Sequence, residues 1–185
     1  MKEFVFVTSN DNKAREVAAT LGIPLKRVAM ELDEIQEMDL EKIVRHKAEQ
    51  AFKKLKTAVL VEDDGLFFDD WNGFPGPFIK HVHATIGYDR LPKLISKKNR
   101  KLEWIVTYGL YDGKNLHFFS GSLKGTFATS QRGKDGWGFD TLLIPKGHRK
   151  TTAELGGVVK LKISARRRAL EKLKRFLQKS KRGMH

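Results

Sequence analysis

The stretch VFVTSNDNKAREVAATLG, residues 5–22, sets an apolar strand, a polar turn and a helix within eighteen residues. Val5, Phe6 and Val7 with Thr8 read as a short β-branched and aromatic strand. Ala14, Val17, Ala18 and Leu21 recur at the i, i+3, i+4, i+7 spacing of one helix face. Asn10 or Asp11 can cap that helix, and Gly22 followed by Pro24 can end it. A strand feeding a helix N-terminus turns several backbone N–H groups outward, with the positive end of the helix dipole behind them and, here, Lys13 beside them. Such a turn suits an anion, a phosphate above all. A plain strand-turn-helix corner with a solvated lysine is the other reading, since the turn has neither the GxxxxGK[ST] spacing of a P-loop nor the GxGxxG of a dinucleotide fold.

Helices and strands go on interleaving along the chain. Leu40, Ile43, Val44, Lys47, Ala48, Ala51, Phe52 and Leu55 give a second amphipathic helix, capped by Asp39. TAVLVE at 57–62 is a nearly all-apolar strand of the kind buried on both faces, and it is expected to end on the acids Glu62, Asp63 and Asp64 before Gly65. DDWNGFPGPFIKH reads as a turn-rich loop, followed by a helix from Tyr88 to about Lys97. LEWIVTYGLYDGKNLHFFSGSLKGTF gives two long strands joined through Asp112-Gly113, and the glycine-rich RGKDGWGFD leads into a strand TLLIP. A last helix starts near Ser164, with Ala169, Leu170, Leu173, Phe176 and Leu177 on one face and Arg and Lys on the other. The expected fold is therefore α/β around a mixed sheet, with one antiparallel hairpin.

With 185 residues and 40% hydrophobic content, the chain is expected to form one soluble domain. It has no cysteine, which excludes a disulfide framework and a thiolate metal site. No apolar run approaches the length of a membrane span and the opening residues lack the build of a signal peptide, so no membrane partner and a cytoplasmic location are expected. The net charge of +14 is lopsided: Lys146 to His185 holds 14 Lys and Arg against Glu154 and Glu171, leaving +2 for the preceding 145 residues. Such a block can bind nucleic acid, polyphosphate or acidic lipid, or can be a solvated helix face ending in a flexible basic tail from 179 to 185.

VEDDGL carries the most chemistry. Acids after a buried strand sit where α/β proteins place their ligands, and three adjacent carboxylates call for a positive partner. Magnesium, which takes one or two carboxylates plus substrate phosphates, fits that demand, and Glu34 in ELDEIQ could add an oxygen. An acidic solvent-exposed turn is the alternative. Gly133, Gly136 and Gly138 around Trp137 and Phe139 let backbone approach a ligand closely beside a flat aromatic surface on which a purine could stack, unless the aromatics only anchor a long loop. His81 and His83, with no other ligand set nearby, read as structural or incidental.

Taken in order, TSNDNK, ELDEIQ, VEDDGL, FPGPFIK, GWGFD with TLLIP, and TAEL with SARRRAL resemble the successive signatures of the inosine/xanthosine triphosphate pyrophosphatases, from residue 4 to about residue 173. The resemblance implies an elongated mixed β-sheet flanked by helices, two lobes with a central substrate cleft, a homodimer, and magnesium-dependent hydrolysis of deaminated purine nucleoside triphosphates to monophosphate and pyrophosphate. It implies that Thr8, Ser9, Asn10 and Lys13 hold the triphosphate and that Lys47 and Lys80 approach it. Glu34 and Asp63 match magnesium ligands, Asp63 also the catalytic base, and Asp64 a substrate contact where the family more often has Ser or Thr. Trp137, Gly138, Phe139 and Asp140 match the base-binding loop, with Trp137 stacking, and Lys160 and Arg166 the C-terminal substrate residues. The family's S-H-R is here Ser164-Ala165-Arg166, which bears on base selectivity. Two other readings stand beside this one: a related pyrophosphatase for other modified nucleotides, and a nucleic-acid-binding module using the basic C-terminal helix. The acids of VEDDGL argue against nucleic acid as the main partner, because they repel a phosphate backbone.

Overall fold

The computed structural model describes residues 3–182. The opening stretch forms β1 (Phe4–Val7) and α1 (Asp11–Leu21). Asn10 is the cap: its side-chain oxygen accepts the backbone N–H groups of Asn12 and Lys13 at 2.9 and 3.1 Å. Gly22 ends the helix at φ 62°, a left-handed conformation that costs glycine nothing. After β2 (Lys26–Val28), α2 (Leu40–Leu55) starts on Asp39, which accepts the Glu41 N–H at 2.8 Å. Its buried residues Leu40, Ile43, Val44, Lys47, Ala48 and Ala51 keep the helical spacing read from the sequence.

The next strand is longer than expected. β3 runs Ala58–Phe68, so VEDDGL lies inside it instead of beyond its end. Acids end a strand when they need water; here Glu62 meets Arg166, Asp63 meets Lys47 and Asp64 accepts the Trp104 indole N–H, so the ladder continues through them. A 3₁₀ turn (Asp69–Trp71) and the two-residue β4 (Pro75–Gly76) follow. The segment read as a loop holds α3 (Ile79–Ile86), which buries Ile79 and Val82. The helix expected over 88–97 is only α4 (Leu91–Leu94), because Pro92 opens it and Ile95 turns extended. β5 (Lys101–Tyr111) and β6 (Leu116–Phe127) are the two long strands; in their turn, Asp112 accepts the N–H groups of Lys114 and Asn115 at 2.8 and 2.7 Å. Beyond a 3₁₀ turn at Gly138–Thr141 come β7 (Leu143–Pro145), α5 (Thr152–Leu155), α6 (Gly157–Ile163) and α7 (Ala165–Arg182).

The sheet has seven strands in the order β2-β1-β3-β5-β6-β7, with β4 on β3. β1 pairs in parallel with β2 and β3, whereas β4 and β7 join antiparallel to β3 and β6. The sheet is therefore mixed and the class α/β, as the sequence led us to expect.

The chain divides into two compact units, the first formed by residues up to Asp63, Val106–Gly121 and Arg166 onward, the second by Asp64–Ile105 and Ser122–Ala165. In the first unit, Val5, Val7, Val59 and Val61 pack against Val44, Ala48 and Ala51 of α2. α7 buries Ala169, Leu170 and Leu173, and Phe176 meets His117 and Phe119 at ring distances of 4.6 and 5.3 Å. Arg168, Lys172, Arg175 and Lys179 lie exposed on α7, so four of the fourteen basic residues from Lys146 onward form an outward helix face. The helix reaches Arg182, so residues 179–182 of the basic tail are helical, and 183–185 lie outside the described residues.

In the second unit, Phe68 and Phe127 pack edge to face at 5.1 Å, and the Arg100 guanidinium ties Phe127 and Ala128 to Pro92 and Ile95 through their carbonyls. Two glycines permit close backbone contacts there. A Cβ on Gly65 would lie 2.7 Å from the Gly76 carbonyl carbon, and one on Gly125 would lie 2.3 Å from the Ile144 carbonyl oxygen. Since the second obstacle is backbone in a paired strand, Gly125→Ala should lower the thermal unfolding midpoint by about 2–10 °C, measured by differential scanning calorimetry.

Candidate functional site

The first unit carries two charge clusters on opposite faces of β3. Side chains alternate along a strand, so Val59, Val61 and Asp63 face α2 while Leu60 and Glu62 face the other way. On the α2 side, the Lys47 ammonium donates to Asp63 Oδ2 at 2.5 Å and to Glu34 Oε1 at 2.9 Å. Lys47 is nearly buried, and Asp63 is 14% exposed at its side chain against 47% for Glu34. Burial pushes the Lys47 ammonium toward deprotonation, and the Asp63 and Glu34 carboxylates more than offset it, so its pKa stands above the ordinary lysine value. Two carboxylates converging on one cation are held ready for a positive charge.

On the other face, Glu62 is the centre. Its carboxylate, 1% exposed, accepts Arg166 Nη2 at 2.8 Å and Nε at 3.1 Å, the Tyr108 hydroxyl at 2.5 Å, and pairs with the Lys13 ammonium at 3.1 Å. Arg166 Nη1 donates to Glu16 of α1 at 2.7 Å. Arg166 and Glu62 pair across 104 positions of sequence. Lys13 stands in the first turn of α1, above the Thr8-Ser9-Asn10 turn in which Thr8 Oγ1 accepts the Asn10 N–H at 3.1 Å. Ser9 is exposed. Asn10 has therefore taken two of the helix N-terminal N–H groups for itself, and Lys13 supplies the cationic part of the turn.

In the second unit, Asp140 organises the glycine-rich loop. Its Oδ2 accepts the Trp137 backbone N–H at 2.8 Å and the Lys160 ammonium at 2.6 Å, and its Oδ1 accepts the Thr152 hydroxyl at 3.0 Å. Lys160 also lies 5.0 Å from the centre of the half-buried Trp137 ring, a cation–π contact. Phe139 is buried edge to face on Trp104 at 5.5 Å, which makes it an anchor, and Gly138 is exposed at φ 64°. Asp64 accepts the Trp104 indole N–H at 3.1 Å. The Tyr88 ring stacks on His83 at 3.9 Å, and burial, followed by the Asp64 and Asp140 charges, pushes its phenol well above the ordinary range. Lys80 is exposed in the first turn of α3.

The structure thus gathers Lys13, Lys47, Glu34, Asp63 and Arg166 in the first unit and Trp137, Asp140 and Lys160 in the second. Arg166, expected to contact substrate, is buried among glutamates. A cavity of about 440 Å³ in the second unit, lined by Lys97, Lys98, Lys101 and Arg132 among others, contains none of the expected site residues. Sequence reasoning assigned no role to Glu16, Tyr108 or Trp104. Their partners lie 40 to 150 positions away, and only an apolar strand carrying a polar-tipped aromatic hinted at Tyr108.

A protein of Methanopyrus kandleri named dITP/XTP pyrophosphatase is 39% identical over 173 residues, 91% of this chain and 92% of its own. A Scheffersomyces stipitis protein named inosine triphosphate pyrophosphatase is 36% identical over 96% of this chain and 98% of its own. Among solved structures, a HAM1 protein from Coxiella burnetii superposes with a TM-score of 0.84 at 25% identity, covering 97% of this chain and all of that one. The Ham1 family model matches residues 4–176, nearly the whole chain: this chain belongs to the Ham1 family.

Proposed function

We propose that this protein hydrolyses deaminated purine nucleoside triphosphates, ITP, dITP and XTP, to the monophosphate and pyrophosphate, with magnesium as cofactor. The observation that carries the reading is the convergence of Glu34 and Asp63 on the Lys47 ammonium, in a chain whose relatives bear pyrophosphatase names. The donor set fits the metal. Two carboxylate oxygens already gathered on one cation are hard ligands, and magnesium usually takes one or two carboxylates and leaves the rest to water and phosphate. Glu34 and Asp63 would hold it, and it would supply charge neutralisation on the phosphates.

The residues of the chain divide the remaining tasks. Lys13 and Lys47 counter phosphate charge, and Thr8, Ser9 and Asn10 shape the turn beside them. Asp63 orients a water and takes its proton as the water attacks the α-phosphorus, releasing pyrophosphate. Trp137 offers a face for stacking. Lys160 is a donor and Asp140 an acceptor, the pairing that a 6-oxopurine satisfies with its O6 acceptor and N1–H donor. Adenine presents the reverse polarity at those positions and would leave Lys160 and Asp140 paired with each other, so ATP gains neither bond. The same reading brings a homodimer, which rests on the family resemblance, and a cytoplasmic location, which rests on the sequence pattern; light scattering and cell fractionation check them.

A panel of nucleoside triphosphates resolved by ion-exchange chromatography tests the reading. ITP and XTP should give monophosphate and pyrophosphate at least about 100-fold faster than ATP in kcat/KM. Release of single phosphate with a diphosphate product, undiminished activity in excess chelator, or equal rates on ATP and ITP would overturn it. Asp63→Asn keeps the side chain's shape and should lower kcat by about 10²-fold or more with a modest change in KM. Lys13→Met should raise KM about tenfold, since it strips charge from the bound triphosphate; steady-state kinetics on ITP separates the two effects.

A further inference from the structure

The buried hydroxyl of Tyr108, which lies in β5 next to β3 in the sheet, donates to Glu62 Oε2 at 2.5 Å. Tyr108 is 0% exposed. Burial, with the Glu62 charge second, pushes its phenol well up, so the group stays protonated and serves as a donor. Glu62 is fixed from two further directions by the Arg166 fork. Of the side chains on Glu62, Lys13 is the one with access to solvent, 16% exposed against 1% for Glu62 and for Arg166. A lysine has four rotatable bonds and loses rotamer freedom when held. A carboxylate that is itself immobile removes that freedom before any ligand arrives, which is preorganisation.

We infer that Tyr108 and Glu62 are positioning residues for Lys13, holding its ammonium at a fixed point on the α1 turn so that it meets a triphosphate already in place. The inference rests on the reading of Lys13 as a triphosphate contact. Neither residue touches substrate. Loss of the Tyr108 hydroxyl leaves a lone pair of Glu62 without its donor, and the carboxylate then shifts toward its other donors, Lys13 and Arg166 among them. Lys13, 16% exposed against 1% for Arg166, is the one of these two that moves with it. Its ammonium is drawn off its set point, and affinity for the triphosphate falls while the water-orienting Asp63, on the opposite face of β3, keeps its surroundings.

A double-mutant cycle tests this. Tyr108→Phe, Lys13→Met and the double variant are compared in KM and kcat on ITP, in the affinity for inorganic triphosphate with magnesium measured by calorimetry, and in thermal midpoint. Tyr108→Phe alone should raise KM and the triphosphate Kd about 3- to 10-fold with kcat within about twofold; in the Lys13→Met background the same change should move neither. Equal factors in both backgrounds would show that Tyr108 merely stabilises the strand, and would overturn the inference. Should Tyr108→Phe fail to fold, Glu62→Gln in the same cycle reads the same coupling, with the same two outcomes. A wild-type chain that binds triphosphate with this non-additivity but hydrolyses no nucleotide overturns the proposed function and keeps the positioning role. Hydrolysis with additive factors does the reverse, and a wild-type chain that binds no triphosphate overturns the positioning role as well.

Discussion

A carboxylate on an inner strand has to be answered by cations, and Glu62 sets that demand for the first unit. Its side chain is 1% exposed, and an uncompensated buried charge of this kind costs about 3–5 kcal/mol when one partner is removed. Arg166, Lys13 and Tyr108 come to it from α7, α1 and β5, and Glu16 balances the second half of the Arg166 guanidinium. Two acids and two bases thus cancel within one cluster, and the three elements that contribute them are fixed in register by that requirement. The apolar packing of α2 on the opposite face imposes no comparable geometry, because hydrophobic contact is not directional.

Alternation along β3 separates structural from chemical charge. Glu62 is enclosed and saturated, whereas Asp63, one residue on, is partly open and shares a lysine with the exposed Glu34. A single strand therefore carries a carboxylate enclosed among its cations and a partly open neighbour, the one to which the proposed function gives a metal and a water. The second unit repeats the division at Asp140, where one oxygen accepts the Thr152 hydroxyl and the other faces Trp137 and Lys160. In both places a buried acid fixes a lysine whose other neighbours suit a nucleotide.

Local pattern made α1 and α2 legible, caps included, since Asn10, Gly22 and Asp39 act within their own turns. The mixed α/β class followed from the order of elements. β3 was misjudged at its end because three acids in a row look like solvent-seeking residues, and the side chains that admit them, Arg166 and Trp104, lie 104 and 40 positions from their partners. α3 was hidden behind FPGPF, whose prolines and glycine announce a turn and mask the eight residues that follow. The site residues were named through motif order. The Glu62 cluster and the position of Arg166 within it were not, because pairing across the sheet depends on which face of a strand each residue takes.

The exposed row on α7 has a consequence for how the protein responds to its solvent. Arg175 and Lys179 are four apart, so like charges face each other on the last turns of the helix. Glu171, the one acid of α7, is engaged with Arg167 at 2.5 Å. Mobile anions are then the natural counterweight. Ionic strength should tighten this helix where it loosens an ordinary surface ion pair, and the last turns of α7 become the part of the molecule whose order is set by the electrolyte around it.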